Sequence, residues 1–483
     1  MIHVICKSEA YTYNAYHIIK AFFPSEEVTV RTEEEASRYL TVRFSCGEIA
    51  VGKEQVKEAA ACRAEDRGAG LFRENEKSRI KYWIDTCLYH ELEKMTGRTL
   101  AWGILTGVRP TKIAMQKLEA GWDRETFVPW FLKEFCVSRR KAELSFEIAV
   151  REKELLRELD CEEGYSLYVG IPFCPSVCTY CSFSSGALAD WKDRIGDYLD
   201  ALKKELAFLG DAYGHRKLNT LYIGGGTPTT LAASELDDLL DCIDRYFPRE
   251  YLLEYTVEAG RPDSITREKL RVLKDHGITR ISINPQSMQQ KTLDVIGRRH
   301  RVEDIVEAYG IAREMGFDNI NMDLIAGLPG EEASDMADTL KQIRKLAPDS
   351  LTVHSLAVKR AAKMGFGDLE PDAGKVSRTL SEMIGMAQET ACQMGLSPYY
   401  LYRQKNIAGN FENVGYAKEG KAGIYNILIM EEKQTIVACG AGSVSKRVYP
   451  DGRIERCENV KDVASFIERI DEMIERKRKL LED

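Results

Sequence analysis

Three cysteines lie close together near the middle of the chain, in the segment 171–183, which reads IPFCPSVCTYCSF. Cys174, Cys178 and Cys181 follow a C-x3-C-x2-C spacing, directly after an apolar run typical of a buried strand. A compact loop with this spacing can direct its thiolates at one iron–sulfur cluster, and three ligands leave one iron of a four-iron cluster open for chemistry. The alternatives are a zinc site completed by a histidine and a set of unrelated free thiols.

The composition is that of an ordinary globular protein. The chain has 483 residues, of which 44% are hydrophobic and 30% charged, and its net charge is −8. This charge gives no general attraction for nucleic acid, and no apolar run is long enough to span a membrane. Thirteen cysteines without a secretory signal indicate reduced thiols. The sequence therefore predicts a cytoplasmic protein that neither crosses a membrane nor binds nucleic acid.

The segments that must position the cysteines alternate between strand and helix patterns. Apolar runs with strand character occupy 166–171, 218–223, 253–258, 278–284, 319–326 and 350–356. Parallel neighbours need long, usually helical crossovers, and repeated right-handed crossovers curl into a barrel. We therefore predict an α/β fold with a partial (β/α)6 TIM-like barrel. The cysteine loop follows the first strand, so it should lie at the carboxyl ends, where barrel chemistry collects.

The flanking regions differ in pattern from the barrel. We predict a small α/β domain over 1–76, a helical connecting region over 77–160, the barrel over 161–362 and a C-terminal α+β cap over 363–483.

Within the predicted cap, two apolar runs at 424–430 and 434–439 are interpreted as strands. A charged segment over 460–482 is interpreted as one closing helix.

The second predicted strand ends in Gly224-Gly-Gly-Thr-Pro228. Three glycines remove the side chains that would keep a ligand from the backbone, so main-chain N–H groups could meet an amino-acid carboxylate. A tight connection without a ligand is the alternative. The position of this turn, one strand after the cysteine loop, favours a shared site.

These two motifs together resemble those of the radical S-adenosylmethionine (SAM) superfamily: CPSVCTYC its cysteine signature and GGGTP its methionine-binding turn. The resemblance covers about 165–360. It implies a [4Fe–4S] cluster on Cys174, Cys178 and Cys181, with SAM on the remaining iron. It also implies an electron donor, a reductase or a protein of the flavodoxin or ferredoxin type.

A narrower resemblance extends over nearly the whole chain. The phrases LYVGIPFC, YIGGGTPTTL, TVEAGRPDSI, RISINPQSM and NMDLIAGLPGE resemble the branch of oxygen-independent coproporphyrinogen III dehydrogenases and heme chaperones. The N-terminal extension and the tail are most similar to the HemZ group. This implies a tetrapyrrole partner and oxidative decarboxylation of two propionates of coproporphyrinogen III, giving protoporphyrinogen IX. A heme-binding chaperone and an enzyme acting on another tetrapyrrole remain as alternatives.

The same resemblance implies a set of positions that contact SAM. They are Tyr168, Gly225, Gly226, Thr227, Glu258, Gln286, Ser287, Arg298 and Asp323. His300 and His354 are interpreted as supporting residues.

The chain departs from the dehydrogenase pattern at two positions. Gly170 stands where those enzymes carry a histidine, and Phe183 stands where they often carry a further cysteine. In the tail, the aromatic and polar cluster of 399–406 is interpreted as a lid over a flat macrocycle. Its Tyr402 and Arg403 are the candidate substrate contacts, with Arg403 or Lys405 as the partner for a propionate.

Overall fold

The computed structural model describes residues 1–24, 26–45, 47–61, 76–107, 109–157, 159–182, 185–357, 362–364, 373–403 and 411–481. The chain divides into two compact units. The first comprises Met1–Val150, Phe366–Ser381 and Tyr402–Glu412. The second comprises Arg151–Gly365, Glu382–Leu401 and Asn413–Asp483.

A four-stranded sheet forms the centre of the first unit, in the order β2-β1-β3-β4. Its strands are β1 (Ile2–Cys6), β2 (Val28–Thr32), β3 (Leu40–Phe44) and β4 (Gly47–Val51). β1 runs parallel to β2 and antiparallel to β3. Strand residues such as Val4 and Val42 are fully buried, because alternate side chains point into the core.

Helices complete the first unit. They are α1 (Glu9–Phe22), α2 (Lys53–Ala61), α3 (Glu76–Thr96), α4 (Thr111–Glu119), α5 (Arg124–Phe135) and α6 (Arg139–Leu155), the last of which continues into the second unit. Helix α1 begins where the Ser8 hydroxyl accepts from the N–H of Ala10, a common N-terminal cap. The buried face of α3, including Leu88, shares one core with the sheet and α1. The predicted division into four domains remains a prediction.

Six parallel strands form the centre of the second unit. They are β5 (Gly164–Ile171), β8 (Lys217–Gly225), β9 (Glu254–Glu258), β10 (Arg280–Ser282), β11 (Ile320–Ala326) and β12 (Ser350–Ser355). They lie side by side in chain order and are parallel throughout. The short strands β6 (Phe173–Cys174) and β7 (Gly186–Ala187) form a separate pair. The predicted alternation of strands and crossovers is thereby confirmed.

The crossover segments carry seven of the described helices. They are α7 (Leu188–Trp191), α8 (Ile195–Tyr213), α9 (Ala233–Tyr246), α10 (Arg267–Asp275), α11 (Gln290–Val295), α12 (Val302–Glu314) and α13 (Ala333–Leu346). Their packing explains why β5, β8 and β12 are buried along nearly their whole length, as strands covered on both faces are.

The C-terminal elements extend this sheet at both edges. They are α14 (Ala373–Gln393), β13 (Ser397–Tyr402), β14 (Asn413–Ala417), α15 (Ile424–Glu431), β15 (Thr435–Cys439), β16 (Val444–Val448), β17 (Ile454–Glu458), α16 (Val463–Glu468) and α17 (Ile470–Leu481). Strand β14 pairs antiparallel with β12, and β15 pairs parallel with β5. The described helices include none with the length and apolar character needed to cross a bilayer.

Two predictions for this region are wrong. The run 424–430 is helical, and the N–H groups of Ile424 and Tyr425 at its start both donate to Oε2 of Glu254, a carboxylate far away in the chain. An apolar run alone cannot distinguish a buried helix from a strand. The predicted closing helix is two helices, which are separated at Arg469.

Candidate cofactor site

The cysteine loop and the glycine turn are joined by main-chain hydrogen bonds. The N–H of Gly226 donates to the carbonyl of Ile171 at 2.7 Å, and the N–H of Thr227 donates to that of Phe173 at 2.7 Å. The hydroxyl of Thr227 also donates to Sγ of Cys174 at 3.6 Å. The two motifs found in the sequence therefore form one site at the carboxyl ends of β5 and β8.

Burial distinguishes the three thiols. Cys178 is buried, whereas Cys174 and Cys181 are half-buried, and the described cysteines form no disulfide. Burial raises the pKa of the Cys174 thiol, while the hydrogen bond from Thr227 opposes that rise. The N–H of Cys181 donates to the carbonyl of Cys178 at 3.1 Å, which closes the loop between the last two cysteines.

The loop is fixed by the segment that follows α11. The hydroxyl of Ser176 donates to the carbonyl of Gly297 at 3.1 Å. The N–H of Thr179 donates to the carbonyl of Ile296 at 3.0 Å. These bonds explain how a loop of little regular structure can hold a defined conformation.

Arg261 is a further residue at this loop, and it is absent from the set of positions predicted from the sequence. It follows β9, is 3% exposed, and its guanidinium lies 3.7 Å from Sγ of Cys178. The available signal was the Arg-Pro-Asp run, which begins three residues after a strand end and places a cation and a carboxylate two residues apart, where they can form a bidentate pair.

The glycine turn leaves no space for side chains. Gly225 has φ +106°, a conformation that favours glycine. A Cβ at Gly226 would lie 2.5 Å from the carbonyl oxygen of Phe173, and one at Gly224 would lie 3.0 Å from Cδ of Glu258. The turn is thus a backbone surface bounded by the cysteine loop and by Glu258.

Glu258 ends β9 and faces the turn. Tyr222 donates to its Oε1 at 2.5 Å. Burial raises the pKa of Glu258 to about 7, an effect that the Asp323 charge adds to and that the Tyr222 hydrogen bond opposes. The carboxyl can therefore change protonation near neutral pH.

Three tyrosine rings stack beside this carboxyl. Tyr222 lies 4.6 Å from Tyr425 and 6.2 Å from Tyr168, with interplanar angles of 23° and 15°. The hydroxyl of Tyr168 would lie 3.2 Å from a Cβ at Gly225, so Tyr168 borders the turn. Tyr425 lies on α15, so the stack includes a side chain from outside the six parallel strands.

Gln286 and Asp323 are connected through the backbone. The N–H of Gln286 donates to the carbonyl of Asp323 at 2.9 Å, and Gln286 has φ +66°. Its Oε1 is buried and has no hydrogen-bond partner among the described residues. Burial by itself would raise the pKa of Asp323, but the neighbouring His354 and the hydrogen bond from Asn321 at 2.7 Å lower it.

The other predicted contacts have protein partners. Ser287 donates its hydroxyl to Oε1 of Glu331 at 2.5 Å. Arg298 is 5% exposed and donates to the carbonyl of Asn284. Burial lowers the pKa of Arg298, but the nearby Tyr180 and Cys178 side chains outweigh that effect and raise it.

The two histidines lie next to carboxylates. Nδ1 of His300 is 3.7 Å from Oδ1 of Asp263, and burial lowers the pKa of His300. Nε2 of His354 is 3.8 Å from Oδ2 of Asp323.

Tyr402 and Arg403 belong to the first unit. Arg403 is 4% exposed and donates to the carbonyls of Leu105 and Gly107 at 2.8 and 3.3 Å. The remaining residues of the predicted lid, 404–406, and Phe183 lie outside the described residues.

The residues present fit a thiolate-bound cluster with SAM beside it. The Cys174 thiol meets the glycine turn through Thr227, and Cys178 and Cys181 follow it in the same short loop. The unpartnered Oε1 of Gln286 is the kind of group that a bound ligand satisfies. Across the described residues, no three His, Cys, Asp or Glu side chains are grouped as for a single metal ion. A four-iron cluster binds each thiolate at a different iron and does not require such a grouping.

Comparison with known proteins places the chain in a family. A model of the radical SAM superfamily matches residues 168–343. The HemZ protein of Bacillus subtilis, described as an oxygen-independent coproporphyrinogen-III oxidase-like protein, is 39% identical over 96% of this chain and 94% of its own length. The heme chaperone HemW of the same organism is 37% identical over 40% of this chain and 51% of its own.

A solved structure shares the fold. The coproporphyrinogen III oxidase HemN of Escherichia coli, described as a radical SAM enzyme, has a TM-score of 0.52 and 22% identity. The alignment covers 67% of this chain and 73% of that one. The predicted α/β fold with a partial barrel is confirmed.

The match to the superfamily model and the similarity to HemZ show that the chain is a radical SAM protein. Within that superfamily, the chain belongs to the HemN, HemW and HemZ family, and it matches HemZ over nearly its whole length. The cofactors of the superfamily, a [4Fe–4S] cluster and SAM, are therefore the cofactors of this protein.

Proposed function

We propose that this protein oxidatively decarboxylates two propionates of coproporphyrinogen III to vinyl groups, giving protoporphyrinogen IX. The observation that carries the proposal is the junction of the three-cysteine loop with the glycine turn, 3.6 Å apart at Thr227 and Cys174. The similarity to HemZ over 94% of that protein supports the choice of substrate. Each propionate would lose carbon dioxide, one hydrogen atom from its β-carbon and one electron.

Cys174, Cys178 and Cys181 would hold the cluster. When bound, the cluster and SAM supply the one-electron chemistry that removes hydrogen from carbon. The loop contributes rigidity through the bonds of Ser176 and Thr179 to the segment after α11. The electron donor would be a reductase or a protein of the flavodoxin or ferredoxin type.

The glycine turn and the residues around it would bind SAM. The backbone of Gly225, Gly226 and Thr227 would accommodate its methionine part, with Tyr168 packed beside them. Glu258, Gln286 and Asp323 would supply hydrogen-bond partners. Arg298 would contribute a buried positive charge near Cys178.

Ser287 has a supporting place in this proposal. Its hydroxyl is engaged by Glu331 at 2.5 Å, and the N–H of Gln289 donates to its Oγ. It would therefore shape the backbone next to Gln286.

The substrate contacts proposed from the sequence are Tyr402 and Arg403. Nη1 of Arg403 already donates to the carbonyls of Leu105 and Gly107, so a propionate would meet the rest of the guanidinium. Burial lowers the pKa of Arg403 to about 10, although the charge of Glu412 opposes the shift, so the guanidinium stays protonated at neutral pH.

Product analysis under strictly anaerobic conditions tests the proposal. The reconstituted protein is incubated with reductant, SAM and coproporphyrinogen III, and products are followed by mass spectrometry. Loss of two carbon dioxide units together with 5′-deoxyadenosine is expected. Cys178→Ser should abolish both products, and Cys242→Ser, a buried cysteine on α9, is the matched control. Unchanged SAM cleavage in Cys178→Ser would refute the proposal.

A heme chaperone is the second candidate. Phe183 supports it, as a departure from the dehydrogenase pattern that the chaperone group shares, and Gly170 weakens the assignment as a dehydrogenase. The dehydrogenases that the sequence resembles carry a histidine there, whereas a Cβ at Gly170 would lie 3.2 Å from the carbonyl oxygen of Cys439. Stoichiometric heme binding without decarboxylation would favour this candidate. Deoxyadenosine with a different product mass would instead indicate another tetrapyrrole substrate.

A further inference from the structure

Arg261 is a buried cation placed by the end of a barrel strand. It comes three residues after β9 ends at Glu258 and directly before the 3-10 turn Pro262–Ser264. Its carbonyl accepts from the N–H and the hydroxyl of Ser264 at 3.0 and 2.7 Å. Only 3% of the residue is exposed, so its backbone and its side chain are both restricted.

The guanidinium of Arg261 donates to the cysteine loop. Nη1 lies 3.3 Å from the carbonyl oxygen of Ser176, 3.2 Å from its Oγ and 3.7 Å from Sγ of Cys178. Ser176 lies between the first and second cysteines of the loop, and Cys178 is the second cysteine. One side chain thus meets both the backbone and a thiol of the proposed cluster-binding segment.

Asp263 holds this guanidinium in a fork. Nε of Arg261 donates to Oδ1 at 2.9 Å, and Nη2 donates to Oδ2 at 2.7 Å. Burial by itself would raise the pKa of Asp263, but His300 and Arg261 lower it well below its usual range. The carboxylate therefore stays ionised and fixes the direction in which Nη1 points.

Hydrogen bonds to ligand sulfurs are among the factors that set the reduction potential of an iron–sulfur cluster. Reduction adds one electron, which comes from the donor, and makes the cluster and its thiolates more negative. A buried guanidinium beside a ligand sulfur stabilises that added charge, because burial weakens solvent screening. It therefore favours the reduced state.

We propose that Arg261 is a positioning residue that fixes the cysteine loop and raises the reduction potential of the cluster through its N–H contact with Cys178. The proposal rests on the proposed function only in that Cys178 is taken as a cluster ligand. It adds a residue that the SAM-binding positions do not include. No bond other than hydrogen bonds is formed or broken.

The test is an EPR-monitored redox titration of the reconstituted protein without SAM. Arg261→Gln removes the charge and the fork, and Arg261→Lys keeps the charge but not the fork. Arg267→Gln, an exposed arginine paired with Glu314, is the matched control. Iron content is measured for every variant, so that failure to bind a cluster is separated from a change in its potential.

For Arg261→Gln, we expect the ratio of reduced to oxidised cluster at the wild-type midpoint to fall about tenfold, which is about 59 mV for a one-electron couple. The ratio of reduced to oxidised cluster in Arg261→Lys should lie between the ratios of Arg261→Gln and the wild type. The ratio in Arg267→Gln should equal that of the wild type. A full cluster with the wild-type potential in Arg261→Gln would overturn the proposal.

If Arg261→Gln does not bind iron, the redox titration of Arg261→Lys tests the proposal, and a wild-type potential in that variant would overturn it. If neither variant binds iron, the proposal is tested by hydrogen exchange of the cluster-free proteins. Faster exchange of the peptide 174–182 than in the wild type supports the proposal, and unchanged exchange overturns it. A wild-type protein without iron would instead contradict the proposed function, while the exchange experiment would still test the contact of Arg261 with the loop.

Discussion

The phenol of Tyr222 donates a 2.5 Å hydrogen bond to Oε1 of Glu258. The bond joins two neighbouring strands, because Tyr222 lies on β8 and Glu258 ends β9. This hydrogen bond favours the ionised carboxylate and so opposes burial. Burial has the larger effect and raises the pKa of Glu258 to about 7. The protonation of Glu258 should therefore depend on Tyr222.

Tyr222→Phe should raise the pKa of Glu258 above 7, because the hydrogen bond to the ionised form is lost. If Glu258 binds SAM as a carboxylate, affinity should increase with pH around 7 in the wild type and at higher pH in the variant. Titration calorimetry with the reconstituted protein between pH 6.5 and 9 measures this shift. Tyr255→Phe is the control, because the hydroxyl of Tyr255 has no hydrogen-bond partner among the described residues. Identical pH profiles would contradict the prediction.

Glu258→Gln should stabilise the cluster-free protein at alkaline pH. A carboxyl whose folded pKa is raised to about 7 binds more protons in the folded state, so wild-type stability decreases as pH rises from its unfolded pKa through 7. Glutamine does not titrate, so the variant avoids this loss. Its gain in the free energy of unfolding should be up to about 3 kcal/mol at pH 8 and about 1 kcal/mol at pH 5.

Thermal unfolding at the two pH values measures this difference. Glu268→Gln, at an exposed position of α10, should show no such pH dependence. An equal effect of Glu258→Gln at pH 5 and pH 8 would show that its carboxyl does not titrate in this range.

Gly226→Ala should disrupt cofactor binding. Its Cβ would lie 2.5 Å from the carbonyl oxygen of Phe173 and 2.8 Å from that of Ile171, so backbone at the start of the cysteine loop would have to move. We expect lower iron content after reconstitution and at least about tenfold weaker SAM binding, or about 1.4 kcal/mol.

Gly310→Ala is the matched control for this substitution. Gly310 lies within α12, and a Cβ there meets nothing within 4 Å. Alanine should stabilise that helix by about 0.5–1 kcal/mol and leave iron content unchanged. Equal iron content in both variants would contradict the steric argument.

Lys477→Met should strongly destabilise the second unit. Lys477 and Glu205 form a 2.5 Å ion pair in which both side chains are fully buried. Removal of the lysine leaves the Glu205 carboxylate buried without its counter-charge, which costs about 3–5 kcal/mol. Urea denaturation measures the loss.

Two further variants test the origin of this loss. Lys479→Met, at an exposed position of α17, should have little effect. Glu205→Leu combined with Lys477→Met should recover part of the stability, because no buried charge remains. Additive losses in the double variant would argue against the buried-charge explanation.

The cysteine loop, the glycine turn and the strand–helix alternation were predictable, because each depends on neighbours in the sequence. Arg261 was not predictable as a partner of Cys178, since 83 residues separate the two side chains. The helix α15 was missed for a similar reason: its first N–H groups are capped by Glu254, about 170 residues earlier. An apolar run does not reveal such a cap.

The class of protein follows from local sequence, because the spacing of Cys174, Cys178 and Cys181 and the three glycines specify a chemistry that needs only a short loop to form. The control of that chemistry depends on the packed fold. The pKa of Glu258, the stacking of Tyr425 and the contact of Arg261 with Cys178 all depend on burial and on side chains brought together from separate strands. Burial and distance are properties of the packed molecule, and local sequence does not contain them.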